Sequence, residues 1–261
     1  MRKRLGWALV ILAFSAAYFG ATQQLPFVIV SPGAVYNVLD SEEGVELLKV
    51  EPPVDSETPG IIDLLTIYES GYPGNTPYLW ELLPVLFSED SAIYPLELVY
   101  PDGQTIDDLE AEAAASFEES QKASLAAAST VLPKGTLDAH KVTFGLSDVG
   151  GPSGGLAFTL GIVDKLSPGS LTGGKRIAVT GTIDANGTVG AIGGIQQKIF
   201  AASGAGDQYF LVPKENCQDL TEAHLRKIRV IPVSNLNEAL SVLKVISSDG
   251  EIGQLAVCPA K

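Results

Sequence analysis

The chain is short of the residues that metal-dependent and histidine-based enzymes need. Its 261 residues include two histidines, His140 and His224, and two cysteines, Cys217 and Cys258. The histidines lack the HExxH spacing of zinc proteases, and two cysteines are too few for a structural zinc site or a disulfide-rich scaffold. The sequence therefore predicts no metal and no cofactor, and it argues against histidine-based hydrolysis.

Positive charge is scarce as well. The chain has 17 basic and 31 acidic residues, a net charge of −14, and three of the basic residues are Arg2, Lys3 and Arg4 at the N-terminus. Because an acidic body repels a phosphate backbone, nucleic acid is excluded as a partner. No GxxxxGK[ST] motif is present, so this chain has no ATP-binding P-loop.

A long apolar run follows the basic N-terminus. Leu5–Ala21 holds 17 residues without a charge, which as a helix would measure about 26 Å, slightly less than the ~30 Å hydrocarbon core. Residues 22–30 could extend it. The basic cluster stays on the cytoplasmic side, so we predict a single-pass transmembrane helix in the cell membrane and an extracytoplasmic body. A cleaved signal peptide is the alternative, and it also exports the body.

Export changes the interpretation of the two cysteines. An oxidising compartment permits a disulfide between Cys217 and Cys258, which would tie the C-terminal tail to the loop after Pro213. Two buried free thiols are the alternative. No basic residue is spaced to activate Cys217, so a catalytic cysteine is not expected.

The body alternates helices and strands, which predicts a mixed α/β fold. Thr105 and Asp108 form a capping-box pattern at the start of a long helix to Thr130. The other predicted helices are 78–87, 154–166, 195–202 and 236–245, the last capped by Ser234 or Asn235, and the predicted strands are 61–68, 96–100, 141–145, 175–179, 208–212 and 227–233, with a hairpin at Asn186-Gly187.

Ser153 stands at an unusual helix start. The sequence GGPSGG at 150–155 leads into a helix that is apolar on nearly all sides and therefore buried. The unpaired N–H groups at such a start attract negative charge, and the Ser153 hydroxyl would lie beside them. An ordinary helix cap is the alternative, because serine caps helices and glycine makes turns.

Lys198 also breaks the local pattern. Ile195, Lys198, Ile199 and Ala202 share one helical face, so the lysine lies on an apolar stripe. A desolvated lysine has a lowered pKa and can act as a general base. A lysine whose head reaches water is the alternative. Together, Ser153 and Lys198 suit a serine–lysine dyad, which needs no histidine, although His140 could instead serve Ser153.

Four motifs in order resemble the proteolytic domain of the Lon-type serine proteases. They are GGPSGG around Ser153, VTGTI at Val179–Ile183, GTVGAIGGIQQKIFAA at Gly187–Ala202 and LVPKEN at Leu211–Asn216. The resemblance implies the Lon-type fold, similar to ribosomal protein S5 domain 2. It also implies that Ser153 is the nucleophile, that Lys198 is the general base, and that Thr180 hydrogen-bonds the lysine.

The upstream segments extend the resemblance. SPGAVYNV, YLWELLPVL, YPDGQT and FEESQKASLAAA are similar to membrane-anchored, ATPase-free Lon-like proteins of Gram-positive bacteria. Those relatives usually carry a PDZ domain before the serine motif, and here Val131–His140 is too short for one. Many Lon-type domains also have aspartate where Gly150 stands, and alanine where Gly154 stands.

The sequence thus predicts four segments: an anchor or signal peptide at 1–30, the N-terminal part of the ectodomain at 31–135, a Lon-type catalytic core at 136–247 and a tail at 248–261. The predicted function is ATP-independent cleavage of peptide bonds in protein or peptide substrates at the outer side of the membrane. An inactive peptide-binding or scaffold protein is the alternative. The family resemblance also implies a homo-oligomer, since Lon-type domains often form hexameric rings.

Overall fold

The structure is a computed structural model that describes residues 7, 11, 12, 14, 15, 18, 20, 22–42, 45–54, 60–101, 103–145, 150–250 and 252–259. The chain forms two compact units. The smaller unit comprises Met1–Ser31 and Tyr68–Leu109, and the larger comprises Pro32–Ile67 and Glu110–Lys261. The four-segment division expected from the sequence stays a prediction, while the compact units each combine two separate stretches of chain.

A twisted sheet forms the centre of the larger unit. Its strands are β1 (Phe27–Asn37), β5 (Ile61–Ser70), β8 (Arg176–Val179), β11 (Tyr209–Pro213) and β12 (Arg229–Val233). They lie in the order β12-β11-β8-β5-β1. Strand β5 pairs in parallel with β8, β8 with β11, and β11 with β12. The first residues of β1 and the last residues of β5 belong to the smaller unit.

Short antiparallel pairs complete the strands of the larger unit. They are β2 (Ser41–Glu42) with β3 (Val45–Glu46), β4 (Leu48–Glu51) with β7 (Lys141–Phe144), and β9 (Thr182–Ile183) with β10 (Val189–Gly190). The last pair is the hairpin predicted around Asn186-Gly187, and the structure confirms it.

Helices cover both faces of the central sheet. Alternate strand residues point to opposite faces, and they belong to two separate apolar clusters. In one cluster Ile177 and Val179 pack with the helices α3 (Ile106–Val131), α5 (Gly155–Leu166) and α8 (Leu236–Ser247). In the other, Ala178 packs with α6 (Ile195–Ala205). Helices α4 (Thr136–Ala139) and α7 (Glu222–Leu225) are short, as are the 3₁₀ turns Lys214–Asp219 and Ile252–Gln254.

The smaller unit combines short elements with the first part of β1. Phe27–Val30 of β1 pair antiparallel with β6 (Ala92–Pro95). The helices are α1 (Leu79–Val85) and α2 (Leu96–Val99), and the first residues of α3 also belong to this unit. The capping box predicted for α3 is present, because the Asp108 carboxylate accepts hydrogen bonds from both the amide and the hydroxyl of Thr105.

Two local predictions were wrong. Leu96–Tyr100 was predicted as a strand, but Leu96–Val99 forms α2. The strand lies just before it, at Ala92–Pro95, and the amide of Leu96 then donates to the carbonyl of Pro26 as the chain turns into the helix. Residues 22–30 were expected to lengthen an apolar anchor, but Phe27–Val30 pair with β6 in a sheet. The mixed α/β class itself is confirmed.

The predicted membrane anchor falls largely outside the described residues. Of Leu5–Ala21, the structure describes seven residues, all of them helical. Within the described part of the chain, no helix has both the length and the apolar character needed to cross a membrane. The transmembrane helix in the predicted fold class is therefore not supported by the structure.

Cys217 and Cys258 are joined by a disulfide, so the alternative of two free thiols is not what the structure contains. Both residues are almost fully buried in the cluster beneath α6. The bridge links the C-terminal tail to the 3₁₀ turn that follows β11, as the sequence predicted.

Candidate active site

Ser153 lies on a tight turn that leads into α5. Gly154 is the N-cap of α5, which begins at Gly155. The carbonyl of Ser153 accepts a hydrogen bond from the amide of Gly181 (2.9 Å), and the carbonyl of Gly181 accepts one from Leu156 (3.0 Å). Gly181 has a φ of 148°, a conformation that favours glycine. These two hydrogen bonds fix the turn against the segment that follows β8.

Helix α3 holds the same turn from another side. The hydroxyl of Ser120 donates to the carbonyl of Pro152 (3.3 Å), and that of Ser124 lies 2.9 Å from the carbonyl of Gly155. Both serines are buried. The amide of Gly151 donates to the carbonyl of Ala113 (3.1 Å). The turn that carries Ser153 is therefore held by several hydrogen bonds.

Lys198 lies in the first half of α6, on the opposite face of the sheet. The loop before α6 is fixed by the side-chain amide of Asn216, which donates to the carbonyl of Ile192 and accepts from its amide, both at 2.9 Å. Gly194 is the N-cap, with a φ of 66°, and a Cβ there would approach Ile67 to 2.7 Å. These contacts fix the position at which α6 begins.

Ser153, Thr180 and Lys198 meet just beyond the end of β8. The amine Nζ of Lys198 lies 2.8 Å from Oγ of Ser153 and 3.1 Å from Oγ1 of Thr180. Thr180 itself donates to the carbonyl of Ser153 (3.2 Å). The serine arrives from the helix on one face of the sheet and the lysine from the helix on the other.

Burial controls the charge of Lys198. Its side chain is 1% exposed, and this desolvation lowers the pKa of Lys198 to about 7. The alternative of a lysine with a wet head does not fit, because the amine itself bonds to two buried or half-buried hydroxyls. A neutral amine at this distance can accept the proton of the Ser153 hydroxyl.

His140 does not take this place. Its ring nitrogen Nδ1 lies 2.9 Å from the carbonyl of Thr136, one turn earlier in the chain, whereas the Ser153 hydroxyl bonds to Lys198. The expectation that the protein binds no metal ion stays a prediction. In the stretches that the structure describes, no three His, Cys, Asp or Glu side chains are grouped as ligands for a metal ion.

Sequence reasoning missed three residues that shape the site: Ser120, Ser124 and Asn216. The signal for the serines was available, because Phe117, Ser120 and Ser124 share a face of α3 with Ala127. Small hydroxyl residues on a buried helical face indicate hydrogen bonds to a neighbouring backbone. Asn216 lies in the LVPKEN motif, but nothing in that motif indicates which loop its amide holds.

Gly150 and Gly154, where many Lon-type domains have aspartate and alanine, both lie in tightly packed positions. A Cβ at Gly150 would lie 2.7 Å from Cβ of Ala113 on α3, and one at Gly154 would lie 2.7 Å from Cδ1 of Leu64. Neither position has room for a side chain unless its neighbour moves. The glycines therefore permit α3 and β5 to approach the turn that carries Ser153 closely.

A cleft of about 520 Å³ opens beside Pro152, the neighbour of Ser153. Its walls come from α3 and from the segment after β9. The lining residues are Ser116, Glu119, Ser120, Lys122, Ala123, Ala126, Pro152, Ile183, Asp184 and Ala185. The walls of the cleft carry both acidic groups (Glu119 and Asp184) and a basic group (Lys122).

Comparisons with known proteins agree with this geometry. Residues 103–246 match the family of the Lon protease (S16) C-terminal proteolytic domain. The chain is 33% identical over 132 residues to the Lon protease of Azospirillum brasilense, covering 49% of this chain and 16% of that protein. It is 42% identical over 79 residues to the archaeal Lon protease of Archaeoglobus fulgidus, covering 30% of this chain and 12% of that protein.

A third relative, the Lon protease of Chloroflexus aggregans, is 34% identical over 94 residues, which is 35% of this chain and 11% of the relative. The chain thus spans a small part of these much longer proteins. The match to the family, in contrast, extends over more than half of this chain and includes Ser153, Thr180 and Lys198. The chain belongs to the family of the Lon protease (S16) C-terminal proteolytic domain, and it is therefore a serine peptidase by family.

Proposed function

We propose that the protein is a membrane-anchored, extracytoplasmic endopeptidase that cleaves peptide bonds without ATP by a serine–lysine dyad. The observation that carries this proposal is the 2.8 Å distance between Nζ of the buried Lys198 and Oγ of Ser153. A lysine desolvated to a pKa of about 7 is neutral in a large fraction of molecules at physiological pH. It can therefore serve as a base without a histidine.

In the proposed reaction, Oγ of Ser153 forms a bond to the scissile carbonyl carbon while its proton passes to Nζ of Lys198. The negative oxygen of the intermediate is held by backbone N–H groups of the turn before α5, including that of Ser153. Lys198 then gives its proton to the leaving amine as the C–N bond breaks. Water attacks the acyl-enzyme, loses a proton to Lys198, and the proton returns to Ser153.

Thr180 is proposed as the residue that orients the lysine. Its hydroxyl donates to the carbonyl of Ser153 and lies 3.1 Å from Nζ of Lys198, so it links both members of the dyad. A base whose direction is fixed by a third group needs no rearrangement before it accepts the proton. Thr180 therefore acts through Lys198 and does not touch the substrate.

The proposed substrates are flexible segments of proteins. The chain carries no P-loop that could bind ATP and drive unfolding. The cleft of about 520 Å³ beside Pro152 is far smaller than a folded domain, which supports a flexible segment as the substrate. Unstructured regions of exported proteins or of membrane proteins fit both features.

The proposal of a membrane anchor is based on the basic residues Arg2–Arg4 and the apolar run that follows them. In that run, the side chains of Trp7, Ile11, Leu12, Phe14 and Tyr18 are 62% to 74% exposed, so they are not packed on the protein. The Cys217–Cys258 disulfide also suits an oxidising compartment. Alkaline phosphatase fused to the C-terminus would be active if the body is exported. An inactive phosphatase fusion, together with fluorescence from a C-terminal reporter that fluoresces only in the cytoplasm, would refute export.

The peptidase is tested with the full chain in detergent micelles and a fluorescein-labelled unfolded casein. We expect cleavage by the wild type and by two surface controls, Ser129→Ala and Lys134→Ala. Ser153→Ala and Lys198→Ala should each be inactive while retaining the wild-type circular dichroism spectrum. Equal cleavage by all five proteins would contradict the proposed dyad, and no cleavage by any would favour the inactive peptide-binding or scaffold protein.

A further inference from the structure

Helix α1 of the smaller unit presents an apolar face that nothing in the described structure covers. Leu79, Trp80, Leu83, Leu86 and Phe87 are 39%, 57%, 48%, 65% and 89% exposed. Leu79, Trp80 and Leu83 lie on one side of α1, and Leu86 and Phe87 follow in the turn that ends the helix. We call these five residues the α1 face. Soluble surfaces seldom expose so many large apolar side chains together, so the α1 face indicates an interaction site.

The α1 face lies where the chain leaves the N-terminal apolar run. The amide and hydroxyl of Thr22 both bond to the carbonyl of Tyr18, which closes the helical part of the run. Three residues later, the amide of Leu25 donates to the carbonyl of Pro77 (2.9 Å), two residues before α1 begins. An extended chain covers about 10 Å in three residues. With the hydrogen bond to Pro77 and the two residues from Pro77 to Leu79 added, the start of α1 lies within about 20 Å of Thr22.

The charges near α1 exclude an electrostatic attraction to anionic lipid. Apart from Arg2, Lys3 and Arg4 at the N-terminus, the smaller unit contains no lysine or arginine. Glu81 is turned back toward the chain, since its carboxylate accepts a hydrogen bond from the amide of Tyr78 (2.7 Å). The ring of Trp80 stacks with that of Tyr78. An apolar face with an exposed tryptophan and without basic residues suits insertion among lipid chains under electrically neutral headgroups.

We propose that the α1 face docks on the lipid bilayer, where it inserts at the interface beside the membrane anchor. This proposal rests on the anchor of the proposed function, because the short connection from Thr22 to α1 brings the face to the bilayer only if Leu5–Ala21 spans it. It adds a second membrane contact, made by the folded part of the chain. The smaller unit then has a fixed depth at the membrane surface.

The two tryptophans of the chain provide a matched test, because Trp7 lies in the anchor and Trp80 in the α1 face. The full chain is reconstituted into phosphatidylcholine vesicles as two single-tryptophan variants, Trp7→Phe and Trp80→Phe. Lipids that carry a bromine or a nitroxide at defined depths quench tryptophan fluorescence on contact. Cleavage of labelled casein by the same vesicles reports the peptidase separately.

We expect Trp80 in the Trp7→Phe chain to be quenched most by groups about 5–10 Å below the headgroups, the depth of an interfacial helix. Trp7 in the Trp80→Phe chain should be quenched as well, which reports insertion of the anchor. Quenching of Trp80 should not weaken at high salt. The double substitution Leu83→Glu with Phe87→Glu should remove most of the Trp80 quenching and leave casein cleavage unchanged.

Three outcomes would overturn the proposal, and they separate its failure from that of the anchor. If Trp7 is quenched and Trp80 is not, the anchor stands and the α1 face does not dock on lipid. If neither is quenched, the anchor fails and the docking proposal fails with it. If Trp80 emission shifts to the blue without lipid quenching and depends on the protein-to-lipid ratio, a second copy covers the α1 face.

Discussion

The amine of Lys198 lies 2.8 Å from the hydroxyl of Ser153, although 45 residues separate them in the chain. The two residues come from helices on opposite faces of one sheet, and Thr180 lies between them just after β8. The contact depends on the length of β8 and on the starts of α5 and α6. Hydrogen bonds fix the pairing of β8 and the turns that begin α5 and α6. The backbone of Lys198 is therefore held in place, and its flexible side chain reaches Ser153 in a defined position.

The first prediction concerns pH. Because burial lowers the pKa of Lys198 to about 7, kcat/KM should be low below pH 6 and rise through a midpoint near 7 as the amine loses its proton. Lys198→Arg should remove the activity across the range, since arginine stays protonated. A flat profile, or full activity of the arginine variant, would exclude Lys198 as the base. The measurement is a pH–rate profile with a fluorogenic peptide.

The second prediction concerns Thr180. Thr180→Val keeps the shape of the side chain and removes the hydroxyl that bonds to Ser153 and Lys198. The loss of about 1.4–2.7 kcal/mol in the transition state would lower kcat about tenfold to a hundredfold, with KM nearly unchanged. Thr180→Ser should recover most of the rate because it restores the hydroxyl. Equal rates for valine and serine would show that the hydroxyl has no part in orienting Lys198.

The third prediction concerns Gly150. Gly150→Asp, which introduces the residue common in Lon-type domains, would press its Cβ against Cβ of Ala113. We expect a loss of about 1–3 kcal/mol in the free energy of unfolding. Adding Ala113→Gly to the same chain should recover part of that loss beyond the sum of the single effects. Urea unfolding of the four proteins measures the coupling, and strict additivity would mean that the close approach is not the cause.

The fourth prediction concerns a buried carboxylate pair. Asp63 and Asp207 are 0% and 8% exposed, and Nε of Arg176 lies 2.5 Å from Asp63 and 3.8 Å from Asp207. Burial, followed by the charge of Asp63, raises the pKa of Asp207 to about 8. The native state therefore keeps a proton that the unfolded chain loses near pH 4. Stability due to this proton is full below about pH 4 and falls as pH rises to about 8.

The loss should not exceed about 1.4 kcal/mol per pH unit for this one proton. Urea unfolding between pH 5 and pH 9 measures it. Asp207→Asn should flatten the dependence, whereas the exposed control Asp107→Asn should leave it unchanged. A stability that rises with pH across this range in the wild type, and equally in Asp207→Asn, would contradict a protonated pair.

Much of the site was readable from the sequence because its residues break local rules. A lysine among Ile195, Ile199 and Ala202, and a serine before a helix without polar faces, both conflict with ordinary burial, and the conflict itself indicated function. The motifs around them then supplied the partner Thr180. The distance between Ser153 and Lys198 could not be predicted, because it depends on packing across the sheet.

The errors also have physical reasons. The alternation of apolar and polar residues at Leu96–Tyr100 fits a strand, but Pro95 ends the pairing of β6 and the next four residues coil into α2. Phe27–Val30 are apolar, and no charged residue separates them from the run at Leu5–Ala21, so composition alone joined them to the anchor. Their antiparallel pairing with β6 is a tertiary contact, which a one-dimensional pattern does not contain. The same holds for the amide of Asn216 and the loop that it fixes.

The most direct test of the central claim is to identify the residue that becomes acylated. A peptide ester that acylates rapidly and deacylates slowly would be mixed with the full chain, quenched in acid and digested for mass spectrometry. The account predicts one added acyl group, on the peptide that contains Ser153, and none in Ser153→Ala. Acylation of any other residue, or equal acylation of the Ser153→Ala protein, would contradict it.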